Sequence, residues 1–257
     1  MERANNVPFF LFPGLACTER LFVPQTEGLA HVCRVIVPAW LEPRAGEPLQ
    51  EFARRWGEAV WAAYYSPEVP ESERLDPAAG CFVGGLSFGG MCAPFAGEAL
   101  QEHGVRVFAC FGLATIQDGT QIPRFSRFLW RTADLLPMGG WGLLKLLCGA
   151  SLKLFGRRFS MPRRETYLQL MESPCRRSHR VLQMIAGWRE GRKEYDFPRI
   201  HIHGRRDMLL PLRKLEREEV SRILDAGHLL TLTRPNEVND FLEEEIRRGL
   251  AEADGGF

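Results

Sequence analysis

No stretch of this chain reaches the roughly 18 uninterrupted apolar residues that a membrane-spanning helix needs. The nearest approach, Leu135 to Phe155, is broken by Lys145 and Lys153. Cysteine pairing signals are also missing. The seven cysteines (17, 33, 81, 92, 110, 148 and 175) are odd in number and include no CxxC pair. That excludes a disulfide-stapled mini-fold and favours free, mostly buried thiols in a reducing compartment. Charge of either sign is not in excess: 33 Lys+Arg stand against 32 Asp+Glu, a formal +1. A generic nucleic-acid binder would carry a basic excess. There is no internal repeat and no low-complexity tract. The opening MERANNVPFFLFPG has a short apolar run, two prolines and no small-residue cleavage site, so it does not read as a secretory signal. Together these absences predict a cytoplasmic protein.

What is present suits a globular domain. The 257 residues are 45% hydrophobic and 25% charged, too apolar for disorder and enough for one large core, or one core with an insertion. Six β-type apolar runs are visible: Val7 to Phe12, Val32 to Val37, Cys81 to Leu86, Val105 to Leu113, Ile200 to His203 and Val220 to Leu224. Helical spacing falls between them. A short helix is expected over Thr18 to Leu29, capped by Thr18. A second covers Glu47 to Tyr65, where Leu49, Phe52, Trp56, Val60 and Tyr64 share a face. Others run from Phe88 to about His103 and from Asn236 to Ala251. Strands alternating with helices predict a parallel α/β sheet.

Residues 114–198 break this rhythm. They hold helical patches, no convincing strand, and fifteen Lys/Arg against seven Asp/Glu. The segment is therefore +8 and the remainder −7. Such a break predicts a helical insertion, 114–198, over the C-terminal edge of a core made from 1–113 and 199–257.

The sharpest local signal is Gly85-Leu86-Ser87-Phe88-Gly89, flanked by Gly84 and Gly90, between a strand run and a helix. Small residues here permit a tight strand-to-helix turn that lifts the serine hydroxyl out. The N-terminus of the following helix offers free N–H groups to a developing oxyanion. A glycine-rich turn with an incidental serine carries the same letters. A serine nucleophile needs a base. Of the six histidines, His228 in Asp225-Ala226-Gly227-His228 sits in a loop ahead of the last helix. His201 and His203 alternate on one strand face and read as ordinary strand histidines. His31, His103 and His179 read as surface residues. The base in turn needs an orienting acid. Asp207, after the Ile200 to His203 run, is the best placed, although it could equally pair with Arg205 or Arg206. Asp225 and Asp118 are the reserves.

These motifs make the chain resemble a serine hydrolase of the α/β-hydrolase superfamily. Gly85 to Gly89 matches the nucleophile elbow. His203-Gly204-x-x-Asp207-x-x-x-Pro211 matches the acid loop. Gly227-His228, followed by Arg234-Pro235-Asn236-Glu237-Val238, matches the histidine loop and last helix. The order Ser87…Asp207…His228 is the family order. The resemblance implies an α/β-hydrolase fold with a mostly parallel sheet of about six strands and a helical cap. It also implies an oxyanion loop at Phe12 to Cys17, with Leu15 and Phe88 N–H as donors. Pro13 replaces the family's frequent histidine there, a position whose side chain the donor does not need. Only about twenty residues separate Asp207 from His228, so the helix usual between them is expected to be short or absent.

In this resemblance a cap lines the acyl pocket, which makes Phe128, Trp130 and Trp141 candidate substrate-binding residues. Packing of the cap on the core is the other reading of its aromatics. The basic excess reads as a solvated face, as attraction for an anionic substrate, or as weak peripheral contact with anionic lipid through Gly142 to Phe155. The expected activity is hydrolysis of an apolar carboxylic ester, with no cofactor and no metal. An acyl-thioesterase, a non-hydrolytic ligand-binding protein and a lyase on the same fold are the rivals. A serine elbow speaks against the branches that use an aspartate nucleophile.

Overall fold

A computed structural model describes residues 7–122, 127, 140–215 and 220–254. Strands β1 (Pro8–Phe12), β2 (Arg34–Ile36), β3 (Cys81–Leu86), β4 (Val107–Leu113), β5 (Arg199–Gly204) and β6 (Arg222–Leu224) form one parallel sheet, ordered β2-β1-β3-β4-β5-β6. The six expected apolar runs are the six strands, trimmed by one or two residues at some ends, except that β5 extends one residue beyond its run at each end. β1 and β3 are buried at every position, as parallel strands covered on both faces must be.

Alternation along β1 splits its side chains between two cores. Phe10 and Phe12 enter a core shared with Phe52 and Trp56 of helix α2 (Leu49–Tyr64) and with helix α3 (Phe88–Glu102). Phe9 and Leu11 point the other way. They meet Phe82 and Phe111 and the inner face of the last helix, α8 (Pro235–Asp254), through Val238, Phe241, Leu242 and Ile246. The helix expected over Thr18 to Leu29 is broken in two. Thr18 Oγ1 caps a 3-10 turn, Glu19–Phe22, and α1 (Val23–Gly28) begins afresh after it. Pro24 has no N–H to donate back to the preceding turn, and a proline is best accommodated in the first turn of a helix, where it stands in α1.

Residues 114–198 contain α4 (Trp141–Phe155), α5 (Met161–Glu172) and α6 (Cys175–Gly187), and no strand among those described. These helices touch the loops that leave β1 and β2. Thr18 N–H donates to Gln169 Oε1 at 2.8 Å, and Arg177 Nε donates to Glu42 at 2.9 Å. Between Asp207 and His228 the described residues hold a single 3-10 turn, Leu212–Lys214, before β6. A four-residue helix, α7 (Leu230–Thr233), leads into α8.

The strand order reverses once. The chain goes from β1 outward to β2, then returns to place β3 on the other side of β1. Between β1 and β3 lies the point of reversal, beside whose strand ends a crevice is the rule in open parallel sheets. Helix α3 starts hard against that crevice. A Cβ on Gly89 would fall on the Phe12 carbonyl, and one on Gly85 would meet the Gly89 backbone. Nothing at either contact is a side chain that can swing away. Gly89→Ala is expected to lower stability by about 3 kcal/mol, read as a fall in the urea midpoint at unchanged m-value.

Candidate active site

Ser87 is the hinge between β3 and α3, with φ 55° and ψ −118°. A non-glycine residue adopts such a conformation only where its surroundings over-determine it. Here both backbone groups are pinned. Ser87 N–H donates to the Leu113 carbonyl at 2.9 Å, and its own carbonyl accepts from Thr115 Oγ1 at 2.7 Å and from Met91 N–H at 3.0 Å. The positive-φ non-glycine residues described are Ala16, Ser87 and Ala114. They stand just beyond β1, β3 and β4, so the backbone strain gathers at one edge of the sheet.

The loop after β1 crosses directly beside the elbow. A Cβ on Gly14 would lie 3.5 Å from Ser87 Cβ and 3.1 Å from the Leu86 carbonyl. Gly14 and Cys17 close a turn through a 3.0 Å backbone hydrogen bond. The Trp40 indole then donates to the Cys17 carbonyl at 2.8 Å, while its ring lies parallel to Phe88, 6.0 Å between centroids. One side chain thus ties the β1 loop to the first residue of α3. Neither Leu15 N–H nor Phe88 N–H meets an acceptor among the described residues. For Phe88 this follows from its place in the first turn of a helix.

Asp207 and His228 come together from separate loops. Gly204, at the end of β5, makes this possible: a Cβ there would lie 2.5 Å from the Gly227 carbonyl. His228 Nδ1–H donates to Asp207 Oδ2 at 2.7 Å. The other carboxylate oxygen accepts the N–H groups of Leu209 and Leu210 at 2.8 and 2.9 Å. Burial opposes ionisation of Asp207. The hydrogen bond and charge of His228, the Leu210 N–H and His203 outweigh it and hold the carboxyl below the usual carboxylate range.

Behind Asp207 lies a pair that the sequence pattern left as ordinary strand histidines. His203 is fully buried, and its Nε2 sits 2.8 Å from the Leu210 carbonyl and 3.4 Å from Asp207 Oδ2. A carbonyl only accepts, so Nε2 carries the proton. Nδ1 of the neutral ring then accepts from His201 Nε2–H at 3.2 Å. His201 Nδ1 is left buried without a partner. Burial, and then His203 and Arg199, push His201 down to about 3. Burial also holds His203 below its ordinary value, against the pull of Leu210 and Asp207.

The reserves fall elsewhere. Asp225 is exposed and takes both Arg205 and Arg206, at 3.0 and 2.9 Å, which leaves Asp207 free of them. Asp118 caps the 3-10 turn Gly119–Gln121 through the Thr120 N–H at 2.7 Å. Trp141 opens α4 and is buried, its indole N–H without a partner. Phe128 and Trp130 lie outside the described residues. Sequence reasoning missed Trp40, Thr115 and His203, whose partners are remote in the chain or set by loop geometry. Among the described residues no group of three His, Cys, Asp or Glu side chains is placed to hold a metal ion.

The buried histidine gives a signed pH dependence. Folded His201 refuses a proton that the unfolded chain accepts below about pH 6.5. Its contribution to stability is complete above that pH and is lost as the pH falls toward 3. One such proton is worth about 1.4 kcal/mol per pH unit. His201→Gln should therefore flatten the fall of unfolding free energy between pH 6.5 and 4 by about that slope, measured by urea titration at each pH.

No protein-family model matches this chain, and no curated protein matches it by sequence. Solved structures do match it in shape. A thermophilic esterase from Thermogutta terrifontis aligns over 95% of this chain and 90% of its own, with TM-score 0.62 and 16% identity. The esterase RhEst1 from Rhodococcus sp. ECU1013 aligns over 95% and 91%, again with TM-score 0.62 and 16% identity. The Vlm2 thioesterase domain covers 94% of this chain and 96% of its own at TM-score 0.56 and 16% identity. With a six-stranded parallel sheet, flanking helices and these neighbours, the chain has the fold of the α/β-hydrolase superfamily.

Proposed function

We propose that this chain is a serine hydrolase that cleaves a carboxylic ester with an apolar acyl or alcohol part. The reading rests on one observation above all: a buried Asp207 paired with His228 at 2.7 Å, on the sheet edge that also carries the strained Ser87. In this reading Ser87 Oγ attacks the carbonyl and His228 Nε2 takes its proton. Asp207 fixes the tautomer of His228 and stabilises the imidazolium as it forms. The N–H groups of Leu15 and Phe88 hold the oxyanion. His228 returns the proton to the leaving alcohol, and water, activated by the same base, releases the acid. No hydrogen bond joins Ser87 and His228 among the described residues. Such contacts are often long without substrate and tighten when it binds.

In this reading residues 1–113 and 199–257 are the catalytic core and 114–198 a cap, whose described helices meet the β1 and β2 loops. In this reading Trp141, buried at the head of α4, is a substrate-binding residue of the cap. A second reading, an acyl-thioesterase with the same three residues, draws on the likeness to the Vlm2 thioesterase domain. Both readings use an acyl-enzyme and differ in the leaving group.

Fluorophosphonate labelling read by intact mass tests the shared core of the two. One adduct is expected on the wild type and none on Ser87→Ala. Asp207→Asn should keep the fold and lose on the order of 10³–10⁴ in kcat, since the base would be held in the wrong tautomer. A folded wild-type protein that takes no label and turns over neither class sinks the proposal. A matched ester and thioester panel separates the two leaving groups.

A further inference from the structure

Helix α4 faces the wrong way for an element that only packs on a core. Leu143, Leu147, Ala150 and Leu154 recur at the spacing of one helical stripe. That stripe points outward, with its three leucines 60%, 57% and 72% exposed. The opposite face carries the buried Trp141 and Cys148. Leu146, Phe155 and Met161 extend the exposed surface. Most large apolar side chains exposed among the described residues lie between Leu143 and Met171, so they form a patch rather than a scatter.

Charge around the patch has one sign. Residues 140–164 contain six Lys/Arg and no Asp/Glu. Lys145 turns inward and donates to the Met171 and Ser173 carbonyls at the end of α5. Lys153, Arg157, Arg158 and Arg164 line a cleft of about 820 Å³ with Leu154 and Phe155, and no carboxylate lines it. Glu165 and Glu172, the next acids in the sequence, are both paired with Arg20.

We propose that α4 and the cleft at its C-terminal end dock this protein on an anionic phospholipid bilayer. The leucine stripe enters the headgroup–acyl boundary, and the four cations bind lipid phosphates. A second copy of the chain suits the face poorly, because a two-fold contact would set these cations against themselves. The proposal is independent of any role for Ser87.

Flotation of the full-length protein with vesicles tests it. The wild type should float with phosphatidylcholine vesicles containing phosphatidylglycerol, stay behind with phosphatidylcholine alone, and release as salt is raised. Leu147→Asp/Leu154→Asp and Arg157→Glu/Arg158→Glu should each weaken binding by about ten-fold or more. Unchanged thermal melting would show that these exposed substitutions leave the fold intact. Lipid-charge and salt dependence of the wild type test the proposal even if a variant does not fold. Equal flotation with neutral vesicles, or none with anionic ones, overturns it. So does binding of inorganic phosphate that matches vesicle binding and ignores the leucine substitutions. A dimer in light scattering that Leu147→Asp/Leu154→Asp dissolves would assign the face to self-association instead, and overturn it too.

Discussion

The close crossing of α3 over the ends of β1 and β3 is the constraint on which the site depends. Gly85 and Gly89 let two backbones meet without a Cβ between them. That contact leaves Ser87 a single route from strand to helix, at φ 55°. The conformation costs about 1–3 kcal/mol. Hydrogen bonds from Ser87 to Leu113 and from Thr115 to Ser87 offset part of it, each contributing about 1 kcal/mol. Both bonds come from the end of β4 and the turn after it, where Ala114 also has positive φ. A hydroxyl placed this way is held off the sheet without relying on its own rotamer.

The opposite side of the crevice is organised by burial of charge. A carboxylate out of water needs its lone pairs filled. Asp207 fills them with two backbone N–H groups, His228 and the edge of His203. Asp225, only a few residues from His228, stays in water with two arginines. Solvation therefore sorts two nearby aspartates into different jobs, one structural on the surface and one able to orient an imidazole. His203 and His201 extend the buried polar chain inward, kept neutral by the same low-dielectric surroundings.

Helix α4 departs from the rest by inverting the usual helix rule. α2 and α8 turn their apolar faces to the core, whereas α4 turns leucines to the outside. Its anchorage combines the buried Trp141 and Cys148 with polar ties: Lys145 on the end of α5, and α5 in turn on Thr18 and Arg20 beside the β1 loop. A helix held by such ties keeps its apolar side free for another surface.

The six strands and the long helices were legible because their apolar spacing is local. So were the turns that carry Ser87 and Asp207, since glycine at Gly85, Gly89 and Gly204 leaves marks in the sequence that bear directly on geometry. Where a proline intervened, as at Pro24, local spacing misled and one expected helix became a turn and a shorter helix. The direction of α4 was not legible, because periodicity shows that a helix has an apolar face and never which way that face looks. The pairing of His203 with Asp207, the reach of Trp40 to Cys17 and the hold of Thr115 on Ser87 each join segments that local pattern treats separately. By itself the sequence determined which segments fold as strands and helices and which small residues allow them to meet. The tertiary structure alone decided which polar groups lose their water there, because burial is a property of the whole packed chain and not of any stretch of it.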